Sequence, residues 1–461
     1  MTGASGPTGA DDLPTLPPVD PRVLAERALA QVRAGEQAVV TADVGRHALT
    51  RFANSHIHQN VADDRVTVTV QLVVDGRVAS ASTTRHDDDG LTELVARARA
   101  AAEVSPPDPG WPGLTAPAPT PDGNPADATL AATPAERAAI VEAFVRAGDG
   151  TAAAGYCDTE YSHTVVANSA GHVAEGRSSR ATLDGIHRIG DAAGSGHGTS
   201  NDVRDLDGER IGREAAERAA ASVDPVDVEP GDYEVVLGPE CVATIVMFLS
   251  VYGFNAKQHQ QGQSFAELGA GQFDPAITLV DDGTDPRAIA YGFDGEASPK
   301  CRHTLIDGGT TSALTHDRRT AAKVGASTTG HAAPSLYGNE VGPFASNLFL
   351  APGSSSVEEL IGSVERGLLV TTFNYVRVID PKTIGATGLT RNGTFLISDG
   401  AVAGAVSNLR FTQSFVEALA PGAIAAVGRD ARLADAEFGP GFAHVPSLHL
   451  RRWRFTGGAA G

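Results

Sequence analysis

Residues 232–314 constrain the chain most. Tyr233 to Leu237 is a short apolar run of strand length, and Gly238-Pro239 ends it. A helical run follows from Glu240 to about Gly253. Its apolar residues Val242, Ile245, Val246 and Leu249 recur at three- and four-residue spacing, so one face must be buried. Pro239 suits a first helical turn, where the missing N–H costs nothing. A polar, glycine-punctuated passage over 255–265 leads to an apolar strand at 276–280 and then to Asp281-Asp-Gly-Thr-Asp-Pro286.

The flanking sequence predicts an α+β chain with two parts. Helical spacing in Val23, Leu24, Ala28 and Val32 marks a helix over 21–34, and strand-like runs follow at 37–42, 47–53, 65–74 and 77–84. Asp75-Gly76 between two of them is a two-residue hairpin signal. A helix capped at Asp89 runs to about Val104. Residues 105–133, dense in Pro, Gly, Ala and Asp, read as a surface connection or inter-domain linker. Thr133-Pro-Ala-Glu136 has the form of a capping box. Strands are expected at 152–158, 163–168 and 178–189, a helix at 212–223, and a helix capped by Ser356. A strand-rich meander then turns at Asp380-Pro381, Asn392-Gly393 and Asp399-Gly400. The domain reading is a disordered tail over 1–20, an N-terminal helix/antiparallel-sheet domain over 21–230, and a larger sheet-rich domain over 231–461.

With 36 Lys and Arg against 56 Asp and Glu, the net charge is −20, which disfavours contact with nucleic acid. No stretch has the eighteen or so apolar residues of a membrane span. Residues 1–18 lack the basic start and apolar core of a secretory signal. The three cysteines, Cys157, Cys241 and Cys301, are odd in number and far apart, as in a reducing cytoplasm.

The order of these elements resembles the TldD/PmbA family of zinc peptidases. The likeness spans about residues 24–455. It is carried by Asn168-Ser-Ala-Gly171, by the segment 321–330, by Gly367-Leu-Leu-Val370, and by the turns at Asp380-Pro381 and Asn392-Gly393. In the family's zinc-bearing TldD subunit the helix after the strand carries His-Glu-x-x-x-His. Here that register reads Pro239-Glu240-Cys241-Val242-Ala243-Thr244, so Pro239 and Thr244 stand where the zinc histidines should be. The resemblance therefore implies a TldE-type subunit with no metal on this chain. It implies a TldD-like partner holding zinc and a peptide or modified-peptide substrate. A homodimer is the state open to the chain without that partner.

The residues themselves offer few alternatives. Glu240 alone cannot hold zinc, and at a first helical turn it complements the helix dipole. Cys241 opens a buried helical face and reads as core. Cys301 lies between Lys300 and Arg302-His303, a setting that lowers a thiol pKa, so Cys301 and His259 are the candidates for an independent hydrolase site acting on a small metabolite. His303, His316 and His331 lack i, i+4 pairing. His56 and His58 share one face if they lie on a strand, but read as an exposed turn. The run Asp191-Ala-Ala-Gly-Ser-Gly-His-Gly-Thr199 is followed by no lysine and reads as a flexible loop rather than a phosphate cradle. A protein-binding regulatory module is the third reading.

Overall fold

Two long antiparallel ribbons organise the first half of the chain. Strand β1 (Gln37–Ala53) buries Ala38, Val40, Ala42 and Val44 in alternation. It turns at Asn54-Ser55, both with positive φ (49° and 64°), into β2 (His56–Val74). The sequence pattern splits β1 in two and begins β2 at Arg65, whereas both strands run unbroken. Residues 56–65 look like a loop only because both faces of the ribbon are exposed there. Asp75-Gly76 makes the expected turn into β3 (Arg77–Thr83). The structure, a computed structural model, describes residues 14–334 and 341–458.

Helix α1 (Pro21–Leu29) and helix α2 (Asp88–Val104) place Leu24, Ala28, Leu91, Leu94 and Val95 against Val40, Val68 and Val70. The α2 cap is Asp87, whose carboxylate accepts from the Gly90 amide at 2.6 Å, two residues before the cap read from sequence. Of the tail read over 1–20, residues 1–13 lie outside the described residues. Thr15 accepts from Arg46, and Asp20 caps α1.

The proline-rich passage after α2 is a fastened strap. Arg318 donates to the carbonyls of Gly113 (2.7 Å), Leu114 and Pro112, and Arg319 pairs with Asp108 at 2.5 Å. Thr115 donates to the Glu296 carbonyl at 2.6 Å. Its density of proline and glycine reports irregular backbone, not freedom to move.

After helices α3 (Asp127–Leu130) and α4 (Pro134–Ala147), the latter with the expected Thr133–Glu136 capping box, come β4 (Ala152–Asn168), β5 (Val173–Ile189) and β6 (Ala192–Ser200). The six strands form one antiparallel sheet in the order β3-β2-β1-β4-β5-β6. Helix α5 (Gly208–Ala221) covers β6 so closely that a Cβ on Gly194 or Gly196 would meet the helix backbone at 2.3 Å. The glycine-rich run is therefore a strand and not a loop. Gly194, Gly196 and Gly198 give one bare face to α5, and Ser195, His197 and Thr199 project from the other.

Strand β7 (Gly231–Leu237) lies near the middle of a nine-stranded sheet, parallel to Arg366–Val370 on one side and antiparallel to Leu448–Gly458 on the other. A second six-stranded sheet includes Leu279–Asp281, Gly439–Val445 and, at its edge, Arg432–Ala436. Helix α6 (Pro239–Phe248) is buried at every residue and shares one core with strands of both sheets. The helix expected to reach Gly253 loosens into a π-helical turn at Leu249–Gly253. The architecture is α+β, as read from the sequence.

Two measurements follow from this packing. Gly196→Ala is expected to destabilise the chain by about 1–3 kcal/mol in urea unfolding, because its methyl meets the Ile211 carbonyl. Gly404→Ala, with open space around it, should stay within about 0.5 kcal/mol. Equal effects would show that β6 and α5 are not in contact.

Glu296, beneath the strap, is raised from 4.5 to about 7 by burial and then by Asp294, against a bond from the Arg318 amide. The folded chain thus binds this proton more tightly than the unfolded one. Its contribution is full at low pH and is lost as pH climbs from 4.5 through about 7. Glu296→Gln, neutral throughout, should gain in Tm over the native chain between about pH 5 and about pH 8. A Tm difference that is flat with pH would contradict this.

Candidate functional site

The first turn of α6 lies near the face of β6 that points away from α5, and the charge of Glu240 acts on His197 there. Gly238 is the helix cap residue without a side-chain bond, Pro239 occupies the first helical position, and Glu240 is 3% exposed. A carboxylate so placed must be paired, because isolated burial of a charge costs far more than the fold can supply. Its partner is Arg432, from the edge strand of the second sheet, at 2.7 Å. Arg432 also lies 3.5 Å from Glu214 on α5, which pairs with Arg218 at 2.5 Å. Arg218 in turn donates to the Ser195 carbonyl of β6 at 2.8 Å.

The charges are set by this network. Burial pushes the Glu240 carboxyl upward, but Arg432, His197 and Arg218 outweigh it and hold it at about 2. Glu240 in turn raises Arg432 above its ordinary value. Beside them, burial would lower His197, yet Asp184 and Asp435 raise it to about 9. Asp435 is pushed up to about 6 by burial in the first place. His197 Nδ1 lies 2.9 Å from Asp184, its register partner across β5 and β6, and 3.9 Å from Asp435 on the strand that carries Arg432. Thr199 donates to Asp435 at 3.0 Å.

The residues at the two ends of the helical motif do not fit a zinc ion. Proline offers no donor atom. The Thr244 hydroxyl accepts from the Glu437 amide at 3.1 Å, and Glu240 is held by a guanidinium. A carboxylate ionised to this degree and tied to arginine is not poised to take a proton from water.

The other candidates lie apart from this network. His259, on the short helix Ala256–Gln260, is exposed, as is the Cys301 thiol, and neither is among the groups acting on Glu240. Cys241 is buried with its thiol pushed far upward by burial, as a core residue. His56 and His58 are exposed on β2, and His56 contacts its own turn at Asn54. His303 and His331, unrelated by spacing, pack with ring centroids 5.2 Å apart. His331 bonds buried Asp281 at 3.1 Å. Arg432, Asp184, His197 and Asp435 carry no motif. The one available signal was the period-two glycine alternation, which marks His197 and Thr199 as sharing a face.

Fold and site together describe an α+β protein built around a strand–turn–helix, β7 to α6, whose first helical turn is held in a buried charged network. Family models give its class. The PmbA/TldA metallopeptidase domain 1 matches residues 42–102, the central domain 124–223 and the C-terminal domain 230–457. This chain belongs to the PmbA/TldD metallopeptidase family.

Among curated relatives, a metalloprotease of Methanothermobacter thermautotrophicus is 27% identical over 227 residues, 49% of each chain. A metalloprotease TldD homolog of Haemophilus influenzae is 25% identical over 210 residues, 45% of this chain and 43% of that one. The matches thus span about half the length of these relatives. Among solved structures, TldE from Thermococcus kodakarensis superposes with a TM-score of 0.81 at 18% identity, over 95% of this chain and 99% of that one. A Thermotoga maritima protein named as a modulator of a DNA gyrase gives 0.80 at 17%, over 94% and 100%. At these identities the likeness establishes the fold.

The pairing can be tested directly. Arg432→Met should cost about 3–5 kcal/mol by leaving Glu240 buried and unpaired, and adding Glu240→Gln should recover much of the loss. Additive effects in that double-mutant cycle would show that the two side chains do not interact.

Proposed function

We propose that this chain is the TldE-type subunit of a two-subunit TldD/TldE peptidase. Its motif helix carries no metal, and it walls the chamber in which a zinc-bearing TldD-type partner cleaves peptides or modified peptides. The observation that carries this reading is the state of the motif helix. Pro239 and Thr244 offer no imidazole, and Glu240, the residue retained from the motif, is bound to Arg432. The structural likeness to TldE over 95% of the chain supports it. The helix has kept its place in the fold while its polar end serves packing between domains.

In this reading, residues 21–230 and 231–461 are the two units that frame the chamber. A cleft of about 490 Å³ lies between the first sheet and the segment around Tyr291, lined by Thr41, Asp43, Phe293, Lys300 and His331. It offers the mixture of apolar and charged groups that an extended peptide needs. The cytoplasm is the proposed compartment, in keeping with three free cysteines. Among the described residues no helix is long and apolar enough to cross a membrane.

Co-expression with a His-Glu-x-x-x-His protein tests the assignment. The two chains should co-purify and cleave peptides together. Turnover should be lost when the partner's first motif histidine is replaced, and this chain alone should be inactive. Peptide cleavage by this chain purified alone would overturn the proposal.

A further inference from the structure

We propose that Asp184, His197 and Asp435 form a divalent-cation site, distinct from the motif helix, that ties the first sheet to the C-terminal domain. One ligand atom from each lies within 4.8 Å of the others. Two ligand atoms bound side by side at about 2.1 Å from an ion sit roughly 3.0–3.4 Å apart. The separations from His197 Nδ1, 2.9 Å to Asp184 and 3.9 Å to Asp435, bracket that range. On the His197 side, binding needs Asp435 to close by about half an ångström, and the two carboxylates start within 4.8 Å of each other.

Two features point to a ligand. First, both ring nitrogens of His197 are enclosed: Nε2 has no partner, and Nδ1 has only the Asp184 carboxylate close by, at 2.9 Å. Enclosed polar atoms are rarely left so. Second, Glu240, 97% buried by its 3% exposure, has Oε2 without a partner, and its charge reaches both His197 and Asp435.

The support around the ligands is that of a metal site. Asp184 and His197 are register partners on neighbouring strands, so half of the sphere is fixed by the sheet. Thr199 donates to Asp435 Oδ1 at 3.0 Å, orienting a carboxylate whose Oδ2 faces His197. Two carboxylates and one imidazole suit zinc or manganese(II), with water completing the sphere. The role is structural. The ion bridges β5 and β6 to the strand that carries Arg432, with no part in peptide cleavage. The site does not depend on the subunit assignment, because its readout is metal held by this chain alone.

The full chain, treated with chelator and dialysed, is titrated with Zn²⁺ and separately with Mn²⁺ by calorimetry, with metal counted afterwards by mass spectrometry. One ion per chain and a rise in Tm are expected. His197→Ala and Asp435→Asn should each lower affinity at least tenfold and remove the Tm rise, while Cys301→Ser and His259→Ala leave both unchanged. Because the site variants can lose structure, electron spin-echo spectra of the Mn²⁺-loaded native chain provide a second reading, and coupling to one imidazole nitrogen is expected. Native chain that takes up no stoichiometric metal, site variants that bind as well as native, or bound manganese without nitrogen coupling would each overturn the site. Peptide cleavage by the loaded chain alone would count against the subunit assignment instead.

Discussion

The contact between Glu240 and Arg432 ties the motif helix to the second C-terminal sheet. Helix α6 is buried at every residue, so a carboxylate at its first turn can exist only with a cation against it. That cation comes from a strand 192 residues away in sequence. Through Glu214 and Arg218 the same guanidinium reaches α5 and the backbone of β6. One side chain thus joins the motif helix, the second C-terminal sheet and the helix covering the first sheet. Its removal would leave Glu240 buried without a partner, while Glu214 keeps Arg218 and Arg210.

Local signals in the sequence carried the α6 region well. Gly238-Pro239 marked the helix start, Thr133 a capping box, Ser356 a helix cap and Asp75-Gly76 a hairpin. The misreadings share a cause. Polar residues at 56–65 and glycines at 191–199 look like loops because composition is averaged over both faces of a strand. In the fold the first run is exposed on both faces, and the second is bare on one face for α5. Of the charged network, sequence reading singled out only Glu240, at the first turn of α6. The rest of it is assembled from β5, β6, α5 and residues 432–435, and no local pattern brings those together.

The junction between the first sheet and the rest combines dispersed polar contacts with one small apolar cluster, in which Val166 and Ala174 meet Phe293 and Ala297. Ser195 meets Thr372 at 3.3 Å, Thr199 meets Asp435, and Arg318 and Arg319 fasten the strap that crosses between them. Such a junction holds orientation through many directional bonds, while each half keeps its own apolar core.

The strand Leu448–Gly458 has a consequence for how the protein is made. It lies between β7 and Leu409–Ser414, with Trp453 fully buried against Phe373, Phe411 and Phe415. During synthesis β7 therefore waits for more than two hundred residues with one edge open, and the nine-stranded sheet closes only when its inner strand arrives late from the ribosome. Until then the first sheet, whose six strands are all contiguous by residue 200, is the part of the nascent chain able to stand complete.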